Sequence, residues 1–138
     1  MAAFQKFDSF VEALAEKKHD LGADTLKFML TNTLPVAGNT VFANLVDITA
    51  GSGYTAGGTA VGITSSAQVS GTYSLVPSGN VVFTASGGSI GPFQYAVLYN
   101  DTALNKELIG FFAYTTSISL LDTESFTLTV GGTLLTLV

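Results

Sequence analysis

Two runs of alternating residues flank a glycine-rich segment in residues 81–100, VVFTASGGSIGPFQYAVLYN. Aromatic and β-branched residues recur along both runs with a period of two, which is typical of strands that bury one face. The glycines between the runs can adopt positive φ at little steric cost, which suits a reversal of the chain. We therefore predict a strand–turn–strand unit, a hairpin, with buried side chains at Phe83, Phe93, Tyr95 and Val97.

The rest of the chain repeats this pattern of short apolar runs separated by turn residues. Residues 25–32 alternate most clearly, and residues 108–113 are nearly all apolar, as in a strand buried on both faces. Further strands are expected at residues 59–65, 68–76 (with Gly71 as a possible bulge), 118–121, 126–130 and 134–138, the last two joined by a Gly131-Gly132 turn. About eight to nine short strands with this spacing predict an all-β fold, an antiparallel β-sandwich or jelly roll.

The first residues carry the one helical pattern of the sequence. Within residues 4–18, the apolar residues Phe7, Phe10, Val11 and Leu14 have the spacing of one helix face. We expect Asp8 or Ser9 to cap this helix and Gly22 to follow its end. Residues 1–20 would then be a helical cap on one end of a single domain (1–138), or an arm that docks on a partner subunit. A third possibility is that the second half of the segment is a strand.

The charges of the chain are few and unevenly placed. The net charge is −5, from ten acidic residues and five lysines, and nine of these fifteen residues lie in the first 27 positions. Nucleic-acid binders usually have the opposite balance, so we expect no nucleic-acid partner. Between residues 28 and 100 the one charged residue is Asp47. Weakly charged surfaces of this kind are common in proteins that pack against neighbours.

The sequence also lacks the patterns of a secretory signal and of a membrane span. Asp8, Glu12 and Glu16 interrupt the region where a secretory signal would need an apolar core. No apolar run approaches the roughly 20 residues that span a bilayer. We expect no signal peptide and no membrane partner.

Residue types that usually carry catalysis are scarce. The chain has no Cys and one His, His19, which we expect to be solvated at the end of the helix. Residues 87–91 match the G-x-S-x-G pattern of a nucleophile elbow, but a strand follows instead of a helix, and no His lies downstream. A lone His without Cys also offers too few ligands for a transition metal. We therefore predict that the protein is not an enzyme.

Two weaker patterns have simple structural interpretations. Asn100-Asp101-Thr102 is formally a glycosylation sequon, and we interpret it as an Asx-type turn. The acid pairs Asp20 with Asp24 and Asp122 with Glu124 could offer oxygens to Ca²⁺, but neither has the dense spacing of a dedicated loop. We interpret both as solvated turns and predict no metal and no cofactor.

Four longer phrases carry a family resemblance: LKFMLTNTLPVAGNTV (26–41), GSGYTAGGTAV (51–61), SGTYSLV (70–76) and VVFTASGGSIGPFQYAVLYND (81–101). In these phrases the chain resembles small structural proteins encoded among the head genes of tailed bacteriophages. The resemblance implies a capsid decoration (cement) protein that is made in the host cytoplasm and resides on the phage head. It also implies contacts with the major capsid protein and with copies of itself, as a dimer or trimer.

Aromatic and apolar side chains are the expected contacts in such a role. The candidates are Phe4, Phe7, Phe10 and Val11 of the N-terminal segment, and Tyr54 in a loop expected to be exposed. Two other functions remain open at this point. One is a tail or head–tail connector subunit, and the other is a virion-surface adhesin module that holds glycans with its Gly-, Ser-, Thr- and Tyr-rich loops.

Overall fold

The structure, a computed structural model, describes residues 3–130 and 132–138. Over these residues the chain is mostly β, with antiparallel sheets and one α-helix, α1 (Ser9–Ala15), as well as a short 3-10 helix (Phe42–Asn44). The described residues contain ten strands: β1 (Phe4–Lys6), β2 (Leu26–Thr31), β3 (Thr59–Val61), β4 (Ile63–Val69), β5 (Thr72–Pro77), β6 (Val81–Thr84), β7 (Ile90–Asn100), β8 (Leu108–Leu120), β9 (Ser125–Leu128) and β10 (Leu135–Leu137).

The strands form three sheets in which all pairings are antiparallel. The largest has five strands in the order β1-β8-β7-β2-β3, and the others are β10-β5-β4 and β6-β9. Ten strands are more than the eight or nine expected. β1 was not predicted, and the strand predicted at 59–65 divides at Gly62 into β3 and β4. Conversely, the two strands predicted at 108–113 and 118–121 are parts of one long strand, β8.

The main core holds the three sheets together in a sandwich-like arrangement. It contains buried side chains from every sheet: Phe28, Phe93 and Phe112 from the five-stranded sheet, Leu75 from the three-stranded sheet, and Phe83 and Leu128 from the two-stranded sheet. The Phe93 and Phe126 rings, from different sheets, meet edge to face with centroids 5.2 Å apart. Burial of aromatic and aliphatic side chains between the sheets therefore holds them together.

A second apolar cluster covers the other face of the five-stranded sheet. Met29 of β2, Val97 and Tyr99 of β7 and Phe111 of β8 lie in it, packed against Phe42 of the 3-10 helix. The three central strands thus bury both faces. This explains why their sequences are almost continuously apolar, as was predicted for residues 108–113.

Residues 81–100 do not form the predicted hairpin, because their two strands belong to different sheets. β6 pairs with β9, whereas β7 pairs with β8 and β2. The segment between them crosses from one sheet to the other, with Gly87 at φ 78° and Gly88 at φ 158°. The burial prediction is confirmed, since Phe83, Phe93, Tyr95 and Val97 are all at most 8 % exposed.

The N-terminal segment divides into a strand and a helix instead of forming one helix over residues 4–18. β1 pairs with β8 at the edge of the five-stranded sheet, and α1 begins only after Phe7, which is fully buried. Gly110 of β8 makes this pairing possible, because a Cβ at that position would lie 2.3 Å from the Phe4 ring. The alternative in which the second half of the segment is a strand is also wrong, because the strand is β1 at its start and the helix α1 follows.

Helix α1 ends well before Gly22. Lys18 N donates to Ala13 O over 2.8 Å and Lys17 N donates to Leu14 O over 3.3 Å, the pattern of a Schellman motif. Lys17 holds the left-handed position of that motif, with φ 65°. Asp8 precedes α1 as predicted, but its side chain forms no capping hydrogen bond. In the described residues, neither α1 nor the 3-10 helix is long and apolar enough to cross a membrane.

Two turns differ from the prediction. Gly71 is not a bulge within a strand, because Ser70 and Gly71 form the two-residue turn between β4 and β5. Their φ values of 52° and 85° are those of a type I′ turn. The proposed Gly131-Gly132 turn includes Gly131, which lies outside the described residues, and the strands on either side pair with different partners, β9 with β6 and β10 with β5.

Candidate functional site

A cleft opens where three parts of the fold meet. Its walls are residues 17–24 after α1, the turn at residues 102–107 between β7 and β8, and Ser66, Tyr73 and Leu137 of the three-stranded sheet. Its volume is about 760 Å³, and small-molecule sites typically measure roughly 300–1,000 Å³. We call it the His19 cleft, after the histidine in its first wall.

The first wall is held by a tight turn. Asp20 O accepts hydrogen bonds from Ala23 N over 3.0 Å and from Asp24 N over 2.8 Å. Asp20 N in turn donates to the Asp24 carboxylate over 2.9 Å. Leu21, 5 % exposed, anchors the turn in the main core. The turn places the side chains of His19 and Asp24 against Asn100 at the end of β7.

Asn100, the last residue of β7, connects the first two walls. Its Oδ1 accepts from Thr102 N over 3.0 Å and from Ala103 N over 3.1 Å, so the predicted Asx-type turn is confirmed. Its Nδ2 contacts Asp24 Oδ2 at 2.6 Å and His19 Nδ1 at 3.1 Å. Because two backbone N–H groups fix Oδ1 as the acceptor, both hydrogens of Nδ2 are available to Asp24 and His19.

His19 is buried, and the prediction that it is solvated is wrong. The residue is 6 % exposed, and its ring packs on Phe10, with ring centroids 5.5 Å apart. The chain changes direction at Lys17, with φ 65°, and His19 then contacts Asn100 at the end of β7. Burial lowers the pKa of His19 from its usual 6.5, and the carboxylates of Glu107 and Asp24 oppose that shift.

The contact with Asn100 also fixes the tautomer of the neutral imidazole. Since Asn100 Nδ2 is a donor, His19 Nδ1 must be an acceptor, and the ring proton resides on Nε2. A neutral ring held this way can donate from Nε2, but it has no lone pair there to act as a general base. The arrangement therefore suits binding better than proton abstraction.

Two polar atoms of the cleft residues are buried without a hydrogen-bond partner among the described residues. They are His19 Nε2 and Glu107 Oε2, one from each of the first two walls. Buried polar atoms are nearly always paired, and an orphaned one costs about 1–3 kcal/mol. An unpaired donor and an unpaired acceptor on two residues that line one cleft are what make this place the candidate site.

The predicted contact residues lie mostly in the protein's own interior. Phe7 is 0 % and Phe10 is 2 % exposed, and Phe4 is half-buried against Phe112 with ring centroids 5.2 Å apart. Val11, at 55 % exposed, is the member of this N-terminal set that faces solvent. A role for Val11 in partner contact stays a prediction.

Tyr54 does not lie on an exposed loop, and that part of the prediction is wrong. It is 3 % exposed, because its hydroxyl accepts from Leu30 N over 3.0 Å and donates to the Asp47 carboxylate. Burial, reinforced by the hydrogen bond to Asp47, raises the pKa of Tyr54 far above its usual value. The side chain is thus a bridge between the loop and β2.

In the two acid pairs considered for Ca²⁺, the side chains of Asp24, Asp122 and Glu124 accept hydrogen bonds from backbone N–H groups. Asp24 accepts from Asp20 N, and Asp122 accepts from Gly87 N over 2.8 Å. Glu124 accepts from a backbone N–H of its own turn. Among the residues that the structure describes, no three His, Cys, Asp or Glu side chains are grouped as metal ligands would be.

No protein-family model, no curated protein and no solved structure matches the chain. The resemblance to phage head-gene proteins therefore stands on the four sequence phrases alone. The His19 cleft lies mostly outside them, since its first two walls are built from residues 17–24 and 102–107. One local signal did point toward it, the Asx-type turn that begins at Asn100.

Proposed function

We propose that the protein is a structural component of a tailed-phage virion, a decoration protein that binds the outer surface of the head across junctions of the major capsid protein. In this role it stabilises the shell and needs no catalytic group. The proposal includes the jelly-roll classification of the sandwich and a homo-oligomer, a dimer or trimer. The observation that carries it is the nearly uncharged surface formed by residues 28–100.

Asp47 is the one charged residue between positions 28 and 100, and the fold uses its charge internally. One carboxylate oxygen accepts from the Tyr54 hydroxyl, and the other accepts from Gly57 N over 2.6 Å. More than half of the chain thus offers neighbours a surface with almost no charge to desolvate. Desolvating charges is costly, and interface cores are depleted in them.

Three exposed aliphatic side chains of this stretch lie in neighbouring loops. Leu34 is 63 %, Val36 is 51 % and Val46 is 69 % exposed. Thr31, the last residue of β2, brings their loops together, because its hydroxyl donates to Val46 O over 2.5 Å and accepts from Thr33 N over 3.0 Å. These three residues form what we call the aliphatic loop patch, and we propose it as the part that contacts the capsid.

Repetition on a shell makes modest contacts sufficient. A homo-oligomer that touches several capsid subunits at once converts each further contact into an intramolecular step. The combined affinity then exceeds that of one patch without any larger surface. A decoration protein can therefore rely on a patch as small as three aliphatic side chains per copy.

The test is the position of the protein on particles. Heads from a phage that carries this sequence, and heads from a deletion of its gene, are compared by cryo-electron microscopy and by resistance to heat. We expect extra density at capsid-subunit junctions and higher resistance when the protein is present, and recovery when purified protein is added back. Density confined to the tail or the head–tail joint would contradict the proposal and favour a tail or connector subunit.

A further inference from the structure

The His19 cleft has a polar pattern that selects one kind of ligand group. Its two unpaired buried atoms are His19 Nε2, which carries a proton in the tautomer that Asn100 imposes, and Glu107 Oε2, a carboxylate oxygen. The first is a hydrogen-bond donor and the second is an acceptor. A ligand group that satisfies both must accept one hydrogen bond and donate another.

This requirement separates the common ligand classes. An ammonium group only donates, so it suits Glu107 but leaves the Nε2 proton of His19 unpaired. A carboxylate or phosphate only accepts, so it suits His19 and is repelled by Glu107. A hydroxyl group donates once and accepts as well, which matches both atoms.

The overall charge of the cleft agrees with an uncharged ligand. Lys17 and Lys18 line the cleft together with three acidic residues, Asp20, Asp24 and Glu107. The Asp24 carboxylate is already engaged by Asp20 N and by Asn100. The carboxylates exceed the lysines by one charge, a small excess that disfavours an anion and gives no strong field for a cation.

The remaining lining suits a ring with several hydroxyl groups. Ser66 and Tyr73 contribute hydroxyls that are hydrogen-bonded to each other at 2.8 Å, and Asn105 adds an amide. Leu104, 95 % exposed, and Leu137 give apolar surface beside them. A sugar ring presents hydroxyls at its edge and C–H groups on its faces, so it pairs with both kinds of surface. A volume of about 760 Å³ also far exceeds the roughly 30 Å³ of one water.

We propose that the His19 cleft binds a neutral sugar, one hydroxyl of which accepts a hydrogen bond from His19 Nε2 and donates one to Glu107 Oε2. This site is separate from the aliphatic loop patch. A decoration protein with such a site would also hold glycans at the particle surface. The two proposals can fail independently, because sugar binding is measured on the isolated protein and capsid binding on particles.

The test is a nuclear magnetic resonance titration of the full chain. The probes are the neutral sugars glucose, galactose, mannose, N-acetylglucosamine and rhamnose, with glucosamine and glucuronate as positively and negatively charged counterparts of glucose. The imidazole nitrogen signals report the binding directly and without ambiguity, because His19 is the only histidine. They also show, before any ligand is added, whether the proton is on Nε2.

We expect at least one neutral sugar to shift the imidazole signals and the cleft amides saturably, and both charged counterparts to bind more weakly than glucose. His19→Asn, which keeps an acceptor near the Nδ1 position, and Glu107→Gln should each weaken binding by about tenfold or more. Glu12→Gln is the matched control, since Glu12 is exposed on α1 outside the cleft and should leave binding unchanged.

Three results would overturn the proposal. The first is that no neutral sugar gives saturable shifts, which would mean that water alone serves the two atoms. The second is that glucosamine or glucuronate binds as tightly as the neutral sugars. The third is that binding is unchanged in both cleft variants. If a variant does not fold, the titration of the unaltered chain with neutral and charged probes still decides between these results.

Discussion

Individual residues stabilise this fold through hydrogen bonds that join distant segments. The clearest case is Tyr54, whose hydroxyl accepts from Leu30 N of β2 and donates to the Asp47 carboxylate. Gly57 N completes the set by donating to the same carboxylate. The loop is therefore held by polar contacts at a buried position, where an unpaired group is costly.

Replacing Tyr54 by Phe should lower the free energy of unfolding by about 1–3 kcal/mol, because Leu30 N and the Asp47 carboxylate each lose a partner at a buried position. Urea denaturation measures the change. Tyr73→Phe is the control, since the Tyr73 hydroxyl contacts Ser66 at an exposed site and its loss should cost at most about 0.5 kcal/mol. Equal losses of unfolding free energy in the two variants would show that the buried hydrogen bonds of Tyr54 stabilise the fold no more than the exposed one of Tyr73.

His19 should make stability depend on pH near neutrality. Its folded pKa is lowered from 6.5 by burial, so the unfolded chain binds the proton more readily. The contribution of neutral His19 is therefore complete above pH 6.5 and decreases as the pH falls from there through the folded pKa. The slope approaches at most about 1.4 kcal/mol per pH unit.

Unfolding free energies between pH 5 and pH 8, a window of about one and a half units on either side of the usual His pKa, measure this effect. The slope should vanish in His19→Gln. Asp101 does not affect this measurement. The hydrogen bond from Lys106 is the main cause that lowers the pKa of Asp101, so the stability that Asp101 contributes is lost only below its usual pKa of 3.8. An unchanged slope in the variant would assign the pH dependence to another group.

At the scale of whole elements, the five-stranded sheet owes its outer edge to a glycine. β1 lies against β8 with Lys6 opposite Gly110. A Cβ on Gly110 would lie 2.3 Å from the Phe4 ring and 2.7 Å from Gln5 O. The absence of a side chain at one position of β8 is thus what allows a strand to add beside it.

Gly110→Ala should detach or displace β1 and lower the free energy of unfolding by about 1–3 kcal/mol, the usual cost of forcing atoms into occupied space. Hydrogen exchange should show faster exchange of the β1 amides, while the amides of β7 keep their protection. Gly79→Ala is the matched control, since a Cβ there meets nothing within 4 Å. Unchanged protection of β1 in Gly110→Ala would contradict this account of the edge.

The whole molecule presents two surfaces of different character. Charges are concentrated in residues 1–27 and after residue 100, whereas the surface from residues 28–100 has almost none. The aliphatic loop patch belongs to the uncharged part, whereas the first two walls of the His19 cleft, residues 17–24 and 102–107, belong to the charged part. The proposed capsid contact and the charged residues of the proposed sugar site therefore come from different parts of the sequence.

Leu34→Glu should reduce binding to heads that lack the protein, because it introduces a charge that must be desolvated in the proposed contact. The fold should be little affected, with a change of at most about 0.5 kcal/mol in unfolding free energy, since the side chain is 63 % exposed. Co-sedimentation measures the binding. Leu121→Glu is the control, because Leu121 is also 63 % exposed but lies near Asp122, outside the patch. Equal loss of binding in both variants would argue against the aliphatic loop patch.

The sequence by itself determined most strands and the residues they bury. Period-two alternation located β2, β6 and β7, because it reports directly which side of a strand is apolar. The residue types at positions 100–102 also identified the Asx-type turn at Asn100, because that turn depends on neighbouring residues alone. Local chemistry was sufficient wherever the deciding contacts are local.

Only the tertiary structure decided which strands pair and which polar residues are buried. β6 and β7 are neighbours in sequence, yet they pair in different sheets, and β1 forms only because β8 has a glycine opposite it. His19 reaches its partner Asn100 across 81 positions, a contact that no local pattern encodes. The physical reason is common to all three: these choices depend on free volume and hydrogen-bond partners supplied by residues far away in the chain.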